Sequence, residues 1–120
     1  MPPQKTDCLI VRQKMEEYLL WLLPKIDGFP VKQKFILGTK IGQTALELME
    51  KLILIQYSNY EEKAKILKRF NLSLEIFRQL MRLAWKLKFL SHKSFLWQES
   101  KLNEIGQMTW RLVHPGGGEM

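Results

Sequence analysis

Between Val31 and His114 the chain contains no proline, and that unbroken stretch does most to decide the fold. Within it, Ile41, Ala45, Leu48, Leu52 and Ile55 follow one another at alternating steps of 4 and 3. Leu67, Phe70, Leu74, Phe77, Met81 and Ala84 repeat that alternation. Apolar residues at this spacing form one face of an α-helix and the seam of a helix–helix contact. Valine, isoleucine and threonine do not gather in short alternating runs, so strands are not expected.

The remaining breaks divide the chain into four helices. Pro2, Pro3, Pro24, Pro30 and Pro115 lie near the ends of apolar segments, and Gly116 to Gly118 read as a flexible tail. The first helix is expected from Cys8 to Leu23, capped by Asp7 and ended by Pro24 and Gly28. The second opens with Pro30 in its first turn, where a missing N–H costs little, and reaches Tyr57. In SNYEE, Ser58 or Asn59 can cap the third helix and Glu61 or Glu62 can close a capping box. That helix is expected to reach Phe89. Ser91 caps the fourth, with Leu90 and Phe95 as a hydrophobic staple and Phe95, Leu102, Ile105, Thr109 and Leu112 on its inner side.

Two long helices joined by a tight turn must fold back antiparallel, and the outer two complete the layer. The expected fold is therefore all-α, an antiparallel up-and-down four-helix bundle over residues 8–113, between tails 1–7 and 114–120. Gly38 and Gly42 interrupt the second helix at a cost of about 1 kcal/mol each relative to alanine. Close approach of a neighbouring helix or subunit would offset that cost.

Several kinds of chemistry are missing. The only histidines are His92 and His114, and no His-x-x-x-His, Cys-x-x-Cys or Glu-x-x-His pair exists. No metal site is expected. No glycine loop of the phosphate-cradling type precedes a helix, so no cofactor is expected either. Cys8 stands alone without an identifiable base, which fits a reducing cytosol better than a disulfide or a nucleophile. The chain is not expected to be an enzyme. The apolar run before Arg12 is too short for a signal peptide, and LLWLL and LILI are too short to span a bilayer. A cytoplasmic protein without membrane contact is expected.

What remains is charge. The formal net charge is +7, and residues 59–90 alone hold eight bases against three acids. At about 100° per residue, Lys68, Arg78, Arg82 and Lys86 fall along one flank of the third helix, beside its apolar seam. An ordered basic row suits successive phosphates better than one small anion. The candidate nucleic-acid-binding residues are Lys65, Lys68, Arg78, Arg82 and Lys86, with Lys32, Lys34 and Lys40 secondary. A plainer account is that long basic stems cover the bundle edge with their heads in water. Trp85 and Trp97 could stack on bases, although tryptophans at helical spacing more often pack internally. A structural bundle whose basic face meets an acidic protein is the rival reading.

Three stretches resemble the accessory variability determinant (Avd) proteins of diversity-generating retroelements. They are LPKIDGFPVKQKFILGTKIGQTALELMEKLI from Leu23 to Ile53, NLSLEIFRQLMRLA from Asn71 to Ala84, and LNEIGQMTW from Leu102 to Trp110. A wider group of four-helix proteins encoded in intervening sequences of bacterial ribosomal RNA genes is also similar. The resemblance implies basic four-helix bundles assembled as homopentameric barrels. It implies association with a reverse transcriptase and template RNA during error-prone cDNA synthesis and mutagenic homing. It places Arg78 and Arg82 at the motif's two arginines, and Gly38 and Lys40 in its LG-x-basic segment. Before Trp110 the chain is one residue shorter than the family's usual spacing.

Overall fold

Four helices carry residues 5–114, the part of the chain that the computed structural model describes. Helix α1 spans Lys5–Asp27. Helix α2 is continuous but composite: an opening turn Val31–Gln33, a π-helical segment Lys34–Gly38 and a regular stretch Thr39–Tyr57. Helix α3 spans Tyr60–Lys86, and α4 spans His92–Val113. Contacts run from α1 to α2, α2 to α3, α3 to α4 and α4 back to α1. With short connections this is the up-and-down four-helix bundle expected. No strand occurs among the described residues.

The seams lie where their spacing puts them. Every seam residue named for the second, third and fourth helices is buried, with Phe70 and Phe77 fully enclosed. Cys8, Val11, Met15, Tyr18 and Leu22 supply the share of α1. One polar pair crosses this core. The Tyr18 hydroxyl donates to Gln98 Oε1 at 2.8 Å, and Gln98 Nε2 donates to the Phe95 carbonyl at 3.1 Å. Burial, helped by the nearby Glu99 carboxylate, pushes the Tyr18 phenol well above its ordinary pKa. Because buried polar groups need their partners, this pair fixes how α1 and α4 face each other.

The caps are partly as expected. Asn59, not Ser58, caps α3, its Oδ1 accepting from the Glu62 N–H at 2.9 Å. The Ser91 hydroxyl accepts from the Ser94 N–H at 3.0 Å and caps α4. Helix α3 ends earlier than expected, at Lys86 rather than Phe89, because Lys88 takes the left-handed conformation, φ 68°, that turns the chain toward α4.

The limits expected for α1 need correction. It begins at Lys5, so Asp7 stands in its first turn rather than ahead of it, and it runs through Pro24 to Asp27. A proline in a last turn forfeits the bond to the carbonyl four residues back. Here that carbonyl belongs to Leu20, a solvent-facing residue whose carbonyl water can satisfy. Continuing the helix brings Ile26 into the core. The remaining residues of the expected tails, 1–4 and 115–120, lie outside the described part.

Ile26 also explains one of the two glycines. A β-carbon on Gly38 would stand 2.8 Å from Ile26 Cγ2, whereas one on Gly42 would stand 3.8 Å from Ile26 Cδ1. The close approach inferred from both positions is therefore made by α1, and only Gly38 requires it. Gly106 plays a milder version of this role between α4 and α3, where a β-carbon would lie 3.2 Å from Leu74 Cδ2.

Candidate nucleic-acid interface

The α3 seam faces inward, so the residues beside it turn to the surface by helical geometry alone. Lys68, Arg82 and Lys86 are all exposed on the flank that leads toward α4. Among the described residues no carboxylate lies within ion-pair distance of these three heads. From Lys68 to Lys86 the row is about 27 Å long at 1.5 Å per residue. Glu75 lies on the same flank and is the acid that interrupts it.

Arg78 is half-buried in the cleft between α3 and α4. Its Nη2 donates to Asn103 Oδ1 at 2.7 Å, and its Nε sits 3.9 Å from Glu75 Oε1 in a loose ion pair. The buried Nε makes no hydrogen bond. Arg78 thus fastens α4 to α3 and borders the row with only part of its guanidinium outward. Lys65 is exposed, but at about 100° per residue it lies some 60° round the helix from Lys68 and Lys86. It belongs to the outermost face of α3 and not to the flank.

The secondary group collects at one end of the bundle. Lys32 is exposed, and Lys34 is half-buried with its ammonium 3.9 Å from Asp27 Oδ1. Lys40 is exposed on the side of α2 opposite the contact by which Arg12 Nη1 donates to Gln56 Oε1 at 2.8 Å. It therefore faces α3. The loop between α1 and α2 meets the loop between α3 and α4 through Phe29 and Phe89, whose ring centres are 5.2 Å apart. That meeting brings Lys25, Lys88 and Lys93 to the end that already holds Lys32, Lys34 and Lys86. These three residues belong to different segments of the sequence. The alternation of helix directions could have found them, since it sends both loops to one end.

Two bases elsewhere are engaged by one acid. Between α1 and α4, Lys14 Nζ lies 2.9 Å from Glu104 Oε1 and Lys101 Nζ lies 4.0 Å from Glu104 Oε2. The hydrogen bond between Lys14 and Glu104 raises the pKa of the ammonium and lowers that of the carboxyl. Trp85 stacks on Phe95 at 4.5 Å and 10°, an internal packing role. Trp97 is more open, but Trp21 stands 4.9 Å from it and the Lys101 ammonium lies 5.7 Å from its ring centre.

The surface can thus offer phosphates a positive flank on α3, interrupted by Glu75, that continues into a basic loop end. Among the described residues no group of histidine, cysteine, aspartate and glutamate side chains is arranged to hold a metal. No helix among them is long and apolar enough to cross a membrane. A family model described as bAvd-like matches residues 9–113 of the 120. Neither a curated protein nor a solved structure matches the chain.

Proposed function

We infer the function from a family and a surface: the chain belongs to the bAvd-like family, and its unpaired bases are concentrated on α3. We read it as a non-catalytic accessory protein of a diversity-generating retroelement. In that role it binds the element's template RNA, and the cDNA made from it, through phosphates, and associates with the reverse transcriptase. It assembles as a homopentameric ring and works in the cytoplasm. The observation that carries the nucleic-acid part is the row Lys68, Arg82 and Lys86, exposed and without carboxylate partners among the described residues. Such a row gains counterion-release free energy on meeting a polyanion, whereas an isolated paired lysine gains little.

Arg82 and Lys86 are the sharpest probes because they are exposed and free of the α3–α4 contact that occupies Arg78. The test is the salt dependence of RNA affinity, measured together with molecular mass on the same sample. Arg82→Glu with Lys86→Glu should leave mass and helicity unchanged. It should flatten the log–log salt slope by roughly 0.7–0.9 for each lost contact. An intact assembly whose RNA affinity and slope match the wild type would refute the assignment. If the double variant instead keeps RNA binding and loses the reverse transcriptase, the row serves an acidic protein surface, the rival reading.

A further inference from the structure

The outermost face of α3 is not polar throughout. Leu72, Ile76, Leu83 and Leu87 are 65%, 45%, 44% and 45% exposed. At about 100° per residue they fall within an arc of roughly 60° turned away from the core. They form an apolar ridge about 22 Å long at 1.5 Å per residue, with Lys65 and Arg69 in line with it in the two turns before Leu72. One exposed leucine needs no explanation, but four in line along a helix mark a contact surface.

A second apolar surface lies in the furrow between α1 and α2. A groove of about 540 Å³ is lined there by Leu23, Ile26, Phe35, Gly38, Gly42 and Leu46, among others. Leu20, exposed, extends it along α1, and Leu9 is exposed farther along the same side, beyond Arg12, Gln13 and Glu16. The furrow's free charges are mainly of the opposite sign to those of the ridge. Glu16, one turn before Leu20, and Glu50, one turn after Leu46, are exposed. Of the nearby bases, Lys34 is paired with Asp27, and Arg12 donates to the neutral Gln56 and keeps its charge, so two free acids stand against one free base.

We propose that the basic-ended ridge of one molecule seats in the acid-edged α1/α2 furrow of a second copy of this chain. The proposal rests on the ring assembly inferred above and names the faces that form it. Ridge and furrow are different surfaces, so the contact is heterologous: each copy uses its ridge on one neighbour and its furrow on the other. Since α3 packs beside α2, the two faces stand on adjoining sides of the bundle, and successive copies turn instead of running out straight. Lys65 and Arg69 then lie in the protein contact. Arg82 remains outside it for phosphate.

Complementary blocking of the two faces tests this. Ile76→Asp with Leu83→Asp disables the ridge, and Leu20→Asp with Leu46→Asp disables the furrow. All four positions are exposed, and circular dichroism checks that each variant stays folded. Light scattering coupled to size exclusion, at tens of micromolar, should find each variant monomeric. Their equimolar mixture should give a two-chain species and nothing larger, since one intact ridge then meets one intact furrow. A ring that survives either pair of changes overturns the face assignment and leaves the ring reading standing. Two monomeric variants that fail to pair overturn the head-to-tail contact. A ridge variant that keeps its mass but loses RNA would assign the ridge to nucleic acid and overturn the proposal. A monomeric wild type overturns the ring reading itself. Should either aspartate variant misfold, Lys65→Glu with Arg69→Glu is the milder substitute. That variant should weaken assembly on dilution, and an unchanged mass across the dilution series would overturn the proposal.

Discussion

Replacing Gly38 and Gly42 by alanine, one at a time, should move stability in opposite directions although the two lie one turn apart on one helix. In a helix interior the change from glycine to alanine favours folding by about 1 kcal/mol, because the unfolded chain loses conformational freedom. At Gly42 nothing opposes this. The new β-carbon would rest 3.8 Å from Ile26 Cδ1, an ordinary contact, so Gly42→Ala should stabilise by about 0.5–1 kcal/mol. At Gly38 the β-carbon would come to 2.8 Å from Ile26 Cγ2. That methyl belongs to a branched, buried side chain and has little freedom to withdraw. Overpacking of this kind costs about 1–3 kcal/mol, so after the propensity gain Gly38→Ala should be neutral to about 2 kcal/mol destabilising. Thermal melts followed by circular dichroism would resolve the difference, at roughly 4 °C per kcal/mol for a chain of this size. Removing the obstacle supplies the control: Ile26→Ala should cost less in the Gly38→Ala background than in the wild type. Gly38→Ala melting above the wild type would refute the claim that α1 packs against Gly38 closely enough to exclude a methyl.

Two further outcomes follow from the core. Phe77 is fully enclosed and Lys68 exposed, so denaturant unfolding should show Phe77→Ala losing about 3–5 kcal/mol and Lys68→Ala almost nothing. Equal losses would mean that the helical phase of α3 is wrong. Tyr18 should make the fold sensitive to alkali. Its folded pKa is raised by burial, so above the ordinary phenol value of about 10 the folded state holds a proton that the unfolded state has released. Stability from this group is intact below that value and falls by about 1.4 kcal/mol per pH unit above it. Tyr18→Phe should flatten that limb in melts across the alkaline range, and an unchanged limb would remove the basis for it.

Helix number, direction and inner faces were legible in the sequence because they depend on local periodicity and on loop length. Leu67 to Ala84 reads as a stripe whether or not its partners are known, and burial follows. Boundaries were less legible because tertiary packing overrode local punctuation. Pro24 reads as a stop, yet the burial of Ile26 carries α1 past it. The site was legible in part. The charge excess of α3 is a sequence property, and so is the flank of Lys68, Arg82 and Lys86. The engagement of Arg78 by Asn103 is not, since it joins residues on two helices whose relative height no single-helix argument sets. Lys25, Lys88 and Lys93 could be gathered to one end from helix direction alone, but the meeting of their two loops through Phe29 and Phe89 could not be read that way. The exposed ridge on α3 was present in the sequence as Leu72, Ile76, Leu83 and Leu87, but the strong inner seam drew the apolar pattern to itself.

The π-helical segment Lys34–Gly38 has a consequence for how this chain tolerates changes of length. A π turn holds one residue more than an α turn, so α2 stores a spare residue just ahead of its seam. Removing one residue within 34–38 would relax the stretch to α geometry and leave Ile41 through Ile55 in their seats. Because the π turn absorbs that residue without turning the helix on either side, Lys32 and the contact of Phe29 with Phe89 would keep their places as well. The same deletion within Thr39–Tyr57 would instead turn everything before it by about 100°, the angle one helical residue subtends. The segment works as a slack link: one residue can be lost there without re-aiming either the core or the basic end.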